Sequence, residues 1–378
     1  MSPSSPCLVA MLIDELETRG GTENHLIDLL SGLDRRRIEP TVVVLTLAGL
    51  LPEVRKLGVA AHSLEITSLL GLDGARTLLR LRALFGKVRP DLVVTYHPSS
   101  DLLGPVAARS VGTRVISCRR DLGFTRHAKH RLLQRPANLL VHGMIAVSEA
   151  VRASVTRTER FAAERIEVIP NGCDLERFHE TESRVRDELG IGPSEVVVGT
   201  LSNFGKIKGY DVIVPAALEL VRARPEVRFV FVGKDEARDS EMARWQEMAR
   251  AAGHRIIFAG SRRDVPEVLS AMDIFLQASH SEGFSNSILQ AMACARPVIA
   301  TDVGGNRELV DPASGILIPR GDGRSLVDAV TILLDDPDRR RRMGRSGRQR
   351  ASEHFSKERM VERYQRAFER FAGQRSRG

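Results

Sequence analysis

The sequence predicts an α/β chain made of two Rossmann-like domains, each with a doubly wound parallel sheet. Three observations predict it. The chain has 378 residues, enough for two separate cores. Short apolar runs alternate with amphipathic helical stretches, the pattern of a parallel sheet covered on both faces by helices. A polar stretch at 179–194, closing on Gly190-Ile191-Gly192-Pro193, breaks that alternation once before a fresh apolar strand begins. The predicted domains are 1–180 and 190–355, followed by a C-terminal amphipathic helix at about 356–378.

In the first domain, Cys7–Ile13 reads as a buried strand. A Gly20-Gly21 turn follows, and then a helix whose apolar stripe is Leu26, Leu29, Leu30 and Leu33. The turn lacks both G-x-G-x-x-G and a Walker A sequence, which removes the main support for NAD or P-loop nucleotide binding. Strands follow at Thr41–Thr46, Val59–Leu64, Pro90–Thr95 and Thr113–Cys118. Parallel sheets bind ligands at their carboxyl ends, and two side chains stand at such ends, His97 and Arg120. His97 reads first as a capped or solvated loop residue and second as a substrate contact. The stretch 119–135 carries Arg119, Arg120, Arg126, Lys129, Arg131 and Arg135 interleaved with leucines. It fits either a membrane-surface segment or a solvated basic helix. Strands at Met144–Val147 and Ile166–Ile169 and an Asn171-Gly172 turn close the domain.

The second domain opens with Val196–Leu201, whose following loop carries Asn203 and Lys208-Gly209. Further strands are predicted at Val227–Gly233, Arg255–Gly260 and Ala271–Leu276. The stretch 279–310 then reads as a polar loop, a helix, a buried strand, a glycine loop and a second helix. Two helix N-termini, at Ser285–Ser287 and Gly304–Asn306, therefore face the carboxyl end of the sheet. Free N–H groups and a partial positive charge there attract phosphate. Glu282 stands beside them, and a carboxylate next to a phosphate seat is unfavourable unless a polyhydroxyl ligand takes its hydrogen bonds. A sugar joined to a diphosphate satisfies both. Ser287-x-x-Gln290 also fits a capping box. The seven arginines between Arg339 and Arg350 read as a solvated helix face.

The net charge of +8 favours anionic partners: nucleotides, phospholipid surfaces or nucleic acid. Aromatic residues make up only 4%, too few for a single-strand stacking platform, so no nucleic acid is expected. Cys7, Cys118, Cys173 and Cys294 lie far apart, which argues against a metal site or a disulfide framework. With no apolar run near the ~18 residues of a membrane span and no basic signal-peptide n-region, a cytoplasmic location is expected.

The run Glu282-Gly283-Phe284, then Ala291-Met292-Ala293, then Pro297-Val298-Ile299-Ala300-Thr301-Asp302-Val303-Gly304-Gly305 resembles the signature of family-4 retaining glycosyltransferases. The pattern departs eight residues after Glu282, where Gln290 replaces a second glutamate. A departure also occurs at Arg120, near which many members carry a histidine, so no catalytic histidine is assigned. The resemblance implies the GT-B architecture, two such domains facing a cleft, with the C-terminal helix packing back on the first. It implies transfer of a sugar from a nucleotide-diphosphate sugar to an acceptor hydroxyl with retained configuration. The acceptor would be a glycan or lipid-linked sugar, and the setting polysaccharide or glycolipid synthesis, peripheral on the inner membrane face if 119–135 binds lipid. Neither cofactor nor metal is implied, and a UDP-sugar is favoured over a GDP-sugar. Glu282 and Lys208 become the catalytic candidates. Donor-binding candidates are Gly21, Asn203, Lys208, Arg263, Val265, Glu282, Gly283, Phe284, Ser285, Asn286, Ser287 and Gln290; acceptor-side candidates are Gly20, His97 and Arg120. A nucleotide-sugar epimerase of the same fold and a weakly active binding homologue are the alternatives.

Overall fold

The computed structural model describes residues 5–66, 71–123, 134–235 and 241–373. The chain divides into two compact units, Met1–Gly172 with Lys357–Gly378, and Cys173–Ser356. The described strands of both sheets are all parallel. Unit 1 holds β1 (Cys7–Ile13), β2 (Ile38–Val44), β3 (Ala60–Ser63), β4 (Leu92–Thr95), β5 (Arg114–Arg119), β6 (Gly143–Ala146) and β7 (Ile166–Val168), in the order β3-β2-β1-β4-β5-β6-β7. Unit 2 holds β8 (Val196–Leu201), β9 (Val227–Val232), β10 (Ile256–Gly260), β11 (Ile274–Gln277), β12 (Val298–Thr301) and β13 (Gly315–Ile318), in the order β10-β9-β8-β11-β12-β13. In each sheet the winding reverses beside the first strand, between β1 and β4 and between β8 and β11. Such a reversal opens a crevice at the strands' carboxyl ends.

The helices that frame the sheets and the site are α1 (Gly21–Gly32), α2 (Leu51–Lys56), α3 (Gly71–Val88), α4 (Pro98–Ser110) and α5 (Glu149–Glu159) in unit 1, and α6 (Tyr210–Ala223), α7 (Glu241–Ala249), α8 (Val265–Ala271), α9 (Asn286–Ala293), α10 (Asn306–Leu309), α11 (Gly323–Asp335) and α12 (Pro337–His354) in unit 2, where a further short helix spans Val185–Glu188. The last helix, α13 (Lys357–Gly373), belongs to unit 1. Alternation along β1 shows why the strands are continuously apolar. Val9, Met11 and Ile13 pack with Leu26, Leu30, Tyr364 and Phe368, while Ala10 and Leu12 pack with Leu81 and Phe85 on the opposite face. On α13, Glu362 and Glu369 also hold Arg37 at 2.7 and 2.8 Å.

Two basic features differ from the sequence reading. Arg119 is not part of an exposed basic segment; it is the last residue of β5, 1% exposed. Its guanidinium meets Asp101 of α4 at 2.5 Å and Glu159 of α5 at 3.0 Å, and Asn138 donates to the same Glu159 at 3.0 Å. Thr95 donates to the other oxygen of Asp101 at 2.5 Å. A buried guanidinium needs such full pairing, and the surrounding carboxylates raise its pKa although burial opposes this. Residues 124–133, the rest of that segment's core, lie outside the described residues.

The arginines of α12 are likewise not all solvated. Arg350 donates to the carbonyls of Leu309 and Glu308 at 2.7 and 2.8 Å, Arg348 to that of Ala293, and Arg340 to that of Leu333 at 2.8 Å. These carbonyls belong to the last turns of α9, α10 and α11, so the arginines cap helix ends that lack internal partners.

Candidate functional site

The site is assembled within unit 2, at the carboxyl ends of β8 and β11. After β8 the chain turns through Phe204, whose ring packs 4.6 Å from that of Tyr210 and 5.7 Å from that of Phe258. A single 3-10 turn, Lys206–Lys208, leads to Gly209 at φ +74°. A Cβ there would lie 1.9 Å from the carbonyl oxygen of Ala278, so both conformation and space require glycine. One residue pair further on, the backbone N–H of His280 donates to the carbonyl of Ile207 at 2.7 Å. The Lys208 loop is thus fastened to the extension of β11.

That fastening brings Lys208 Nζ to 2.8 Å from Glu282 Oε1. The same oxygen accepts from Gln277 Nε2 at 2.6 Å and from Ser279 Oγ at 2.8 Å. The Glu282 side chain is 10% exposed and that of Lys208 30%. Among the described residues no hydrogen bond reaches Oε2 of Glu282. One oxygen is therefore fixed by three donors and the other is left to a ligand. Lys208, expected to face a diphosphate, is ion-paired here. An ammonium has three donors, so it can keep Glu282 and still meet a phosphate oxygen.

Ser285 is the N-cap of α9: its Oγ accepts from the N–H of Ile288 at 3.2 Å and donates to Gln277 Oε1 at 2.7 Å. The cap is therefore Ser285 rather than Ser287, whose hydroxyl donates to Gln277 at 3.0 Å. Gln290 follows in the second turn of α9, half-buried. Phe284 turns inward, its ring 5.8 Å from that of Phe355, so it secures the loop by packing. The glycine loop meets the site through Gly305, whose N–H donates weakly, at 3.4 Å, to the carbonyl of Glu282. Its helix, α10, has only four residues and supplies one turn; the expected second helix-end phosphate seat is thus not a full helix terminus. Asn306 is buried there and donates to the carbonyl of Thr301 at 3.1 Å.

The remaining candidates lie elsewhere in their units. Asn203 is half-buried in the Lys208 loop, Arg263 is exposed beyond β10, and Val265 begins α8. In unit 1, Gly20 is the N-cap of α1 and Gly21 its first residue. His97 is the N-cap of α4 and shares a capping box with Ser100, whose Oγ accepts from the His97 N–H at 2.9 Å. Arg120 donates to Asn171 Oδ1 at 2.8 Å, while its Nη1 is enclosed without a hydrogen-bond partner. Among the described residues no group of three or more His, Cys, Asp or Glu side chains is arranged to hold a metal.

Gln277 and Ser279 are the site residues that sequence reasoning missed. A signal existed: Gln277 interrupts Ile274-Phe275-Leu276, and a polar residue in a strand buried on both faces needs partners.

Comparisons with known proteins identify the family. The profile of the family described as Glycosyltransferase Family 4 matches residues 19–177, and that described as Glycosyl transferases group 1 matches residues 193–336. The chain is 31% identical over 223 residues to the lipopolysaccharide core biosynthesis mannosyltransferase LpsB of Rhizobium meliloti, covering 56% of this chain and 63% of the relative. It is 31% identical over 210 residues to a D-inositol 3-phosphate glycosyltransferase of Segniliparus rotundus, covering 54% of this chain and 47% of the relative. The match thus spans about half to two thirds of these relatives' length. Among solved structures, Anabaena Alr3699/HepE in complex with UDP superimposes with a TM-score of 0.85 at 21% identity, over 96% of this chain and 99% of that one. At that identity the likeness shows the fold alone, and the fold is GT-B.

Proposed function

The chain belongs to the group 1, family 4 glycosyl transferases, and from that premise we propose that it moves a sugar from a nucleotide-diphosphate sugar to an acceptor hydroxyl with retained anomeric configuration. The observation that carries the proposal is Glu282, with one oxygen held by Lys208, Gln277 and Ser279 and the other left for a ligand beside the N-terminus of α9. Unit 2 is the donor-binding domain in this reading, and unit 1 the acceptor-binding domain.

Breaking the anomeric C–O bond leaves negative charge on the β-phosphate and positive charge on the sugar. Lys208, Asn203 and the N–H groups of Ser285–Ser287 stabilise the first, and Glu282 faces the sugar that gains the second. Preorganised dipoles of this kind need no metal, so EDTA leaves activity intact. The acceptor attacks the same face of the sugar that the phosphate leaves, and the departing phosphate takes its proton. Gln290 accepts from the nucleotide ribose hydroxyls, with the nucleobase at the backbone of Arg263 and Val265. The UDP complex of HepE supports a UDP-sugar as donor.

On the acceptor side, the reading places Gly20, His97 and Arg120. Arg120 has no carboxylate partner among the described residues, and its neighbours stay neutral. Burial, then Arg120 itself, pushes His25 well below its ordinary value; burial pushes the Cys118 thiol up to about 12. An unmatched, half-buried cation favours an acceptor with an anionic group, as the name of the D-inositol 3-phosphate relative also suggests. Lipid-linked or envelope glycans fit the lipopolysaccharide relative. No described helix is long and apolar enough to cross a membrane. Attachment at the cytoplasmic face through the basic residues of 119–135 other than the buried Arg119 predicts flotation with anionic vesicles that weakens with salt; charge-reversed variants of Arg126, Lys129 and Arg131 that float equally well would contradict it.

A thermal-shift panel of nucleotide sugars tests the function, since a ligand that binds only the folded state stabilises it by mass action. Lys208→Ala is expected to raise the donor Kd by roughly ten- to hundredfold, the loss of one charge-assisted hydrogen bond; calorimetry showing unchanged affinity would remove Lys208 from the site. Gln290→Glu is expected to keep kcat/KM within about tenfold, because either side chain accepts from a diol, and Gln290→Ala to lose more. An inactive parent rescued only by Gln290→Glu would make this chain the weakly active homologue.

A further inference from the structure

We infer that Gln277 is the positioning residue that aims Glu282 at the donor sugar and ties it to the phosphate-facing end of α9. The inference rests on the donor reading above. Gln277 ends β11, the strand beside the reversal of the second sheet, and is 1% exposed. Its amide orientation is dictated by chemistry. A carboxylate only accepts hydrogen bonds, so Nε2 must face Glu282, at 2.6 Å, and its second N–H meets Ser279 Oγ at 3.0 Å. Oε1 then accepts from both Ser285 and Ser287, at 2.7 and 3.0 Å. All four hydrogen-bonding positions of the amide are filled, and a buried polar network that is fully satisfied is rigid.

Two consequences follow from that rigidity. Glu282 Oε1 is pinned from the strand side, which leaves Oε2 as the oxygen for sugar hydroxyls. The hydroxyls of Ser285 and Ser287 are turned toward the same amide, so the first turn of α9 and the carboxylate move as one body. A sugar and its diphosphate are thereby read in fixed relation, and orientation of this kind acts on the transition state more than on ground-state binding.

The test compares Gln277→Met, Gln277→Asn and Gln277→Glu with the parent, in the full chain, using the nucleotide sugar that most stabilises the parent. Nucleoside diphosphate release gives kcat and KM, and urea unfolding monitors the fold. Methionine keeps the volume without the amide, and asparagine keeps an amide that is too short to reach Glu282. Both are expected to lower kcat/KM by roughly ten- to hundredfold, mostly in kcat. In a Glu282→Ala background the same changes should cost severalfold less than in the parent, because the Glu282 part of the effect is already lost and only the hold on Ser285 and Ser287 remains. In Gln277→Glu the introduced carboxyl must share a proton with Glu282, so activity is kept at low pH and lost as pH rises. A folded Gln277→Met or Gln277→Asn with kcat/KM within about twofold of the parent, or an equal loss in both backgrounds, overturns the inference alone. A parent that no nucleotide sugar stabilises overturns the donor reading, and this inference with it.

Discussion

Glu282→Ala is expected to lower kcat/KM by about three orders of magnitude, roughly 4 kcal/mol of transition-state stabilisation. The carboxylate costs little to place, because Lys208, Gln277 and Ser279 already satisfy Oε1. In the proposed reading its other oxygen holds sugar hydroxyls whose bonds tighten as positive charge develops on the ring. The loss should fall on kcat more than on KM, and Glu282→Gln should recover only part of it, since the amide can accept but carries no charge. The substitution leaves the buried Gln277 N–H and Ser279 hydroxyl without their acceptor, so unfolding should show a loss of about 1–3 kcal/mol while the chain stays folded. Steady-state kinetics with unfolding as a control would decide; a variant within tenfold of the parent would mean that Glu282 merely anchors the Lys208 loop.

Arg119→Leu is expected to destabilise the chain by about 3–5 kcal/mol. Removing the guanidinium strands Asp101 and Glu159, both almost fully buried, without their counter-charge. Carrying Asp101→Asn and Glu159→Gln alongside should restore most of the loss, because apolar or neutral replacements relieve the unpaired charge. Urea unfolding measures both. A loss below about 1 kcal/mol, the range of exposed ion pairs, would show the cluster to be far more hydrated than its burial implies.

These two residues mark what could and could not be read beforehand. Parallel strands buried on both faces must be continuously apolar, so β1, β8 and β12 stood out from composition alone. Glu282 and Lys208 were singled out through the family resemblance, Glu282 also as a charge at the mouth of a helix, and the structure brings the two side chains together. Arg119 was not: an arginine after an apolar run looks like the start of a loop. Its place in β5 depends on Asp101 and Glu159, 18 and 40 residues away. Gln277 carried a signal, as a polar residue in a buried strand, but its partners at 279, 282, 285 and 287 were not readable, since they meet it only once β11 and α9 have formed. The arginines of α12 show the limit of charge counting, because a long side chain can leave a charged face to cap a neighbouring helix. The brevity of α10 follows from Pro312, which cannot continue a helix and disfavours helical backbone at Asp311, so only one turn fits after Gly305.

The central claim is glycosyl transfer from a nucleotide-diphosphate sugar, and NMR of the reaction tests it most directly. The purified chain would be incubated with the donor that stabilises it best, with and without glycan and anionic acceptors, and followed by phosphorus and proton spectra. The account predicts release of the nucleoside diphosphate and a product sugar with the donor's anomeric configuration, faster with acceptor than without and unaffected by EDTA. A donor that remains intact although bound, or that returns as an epimerised nucleotide sugar, would contradict it.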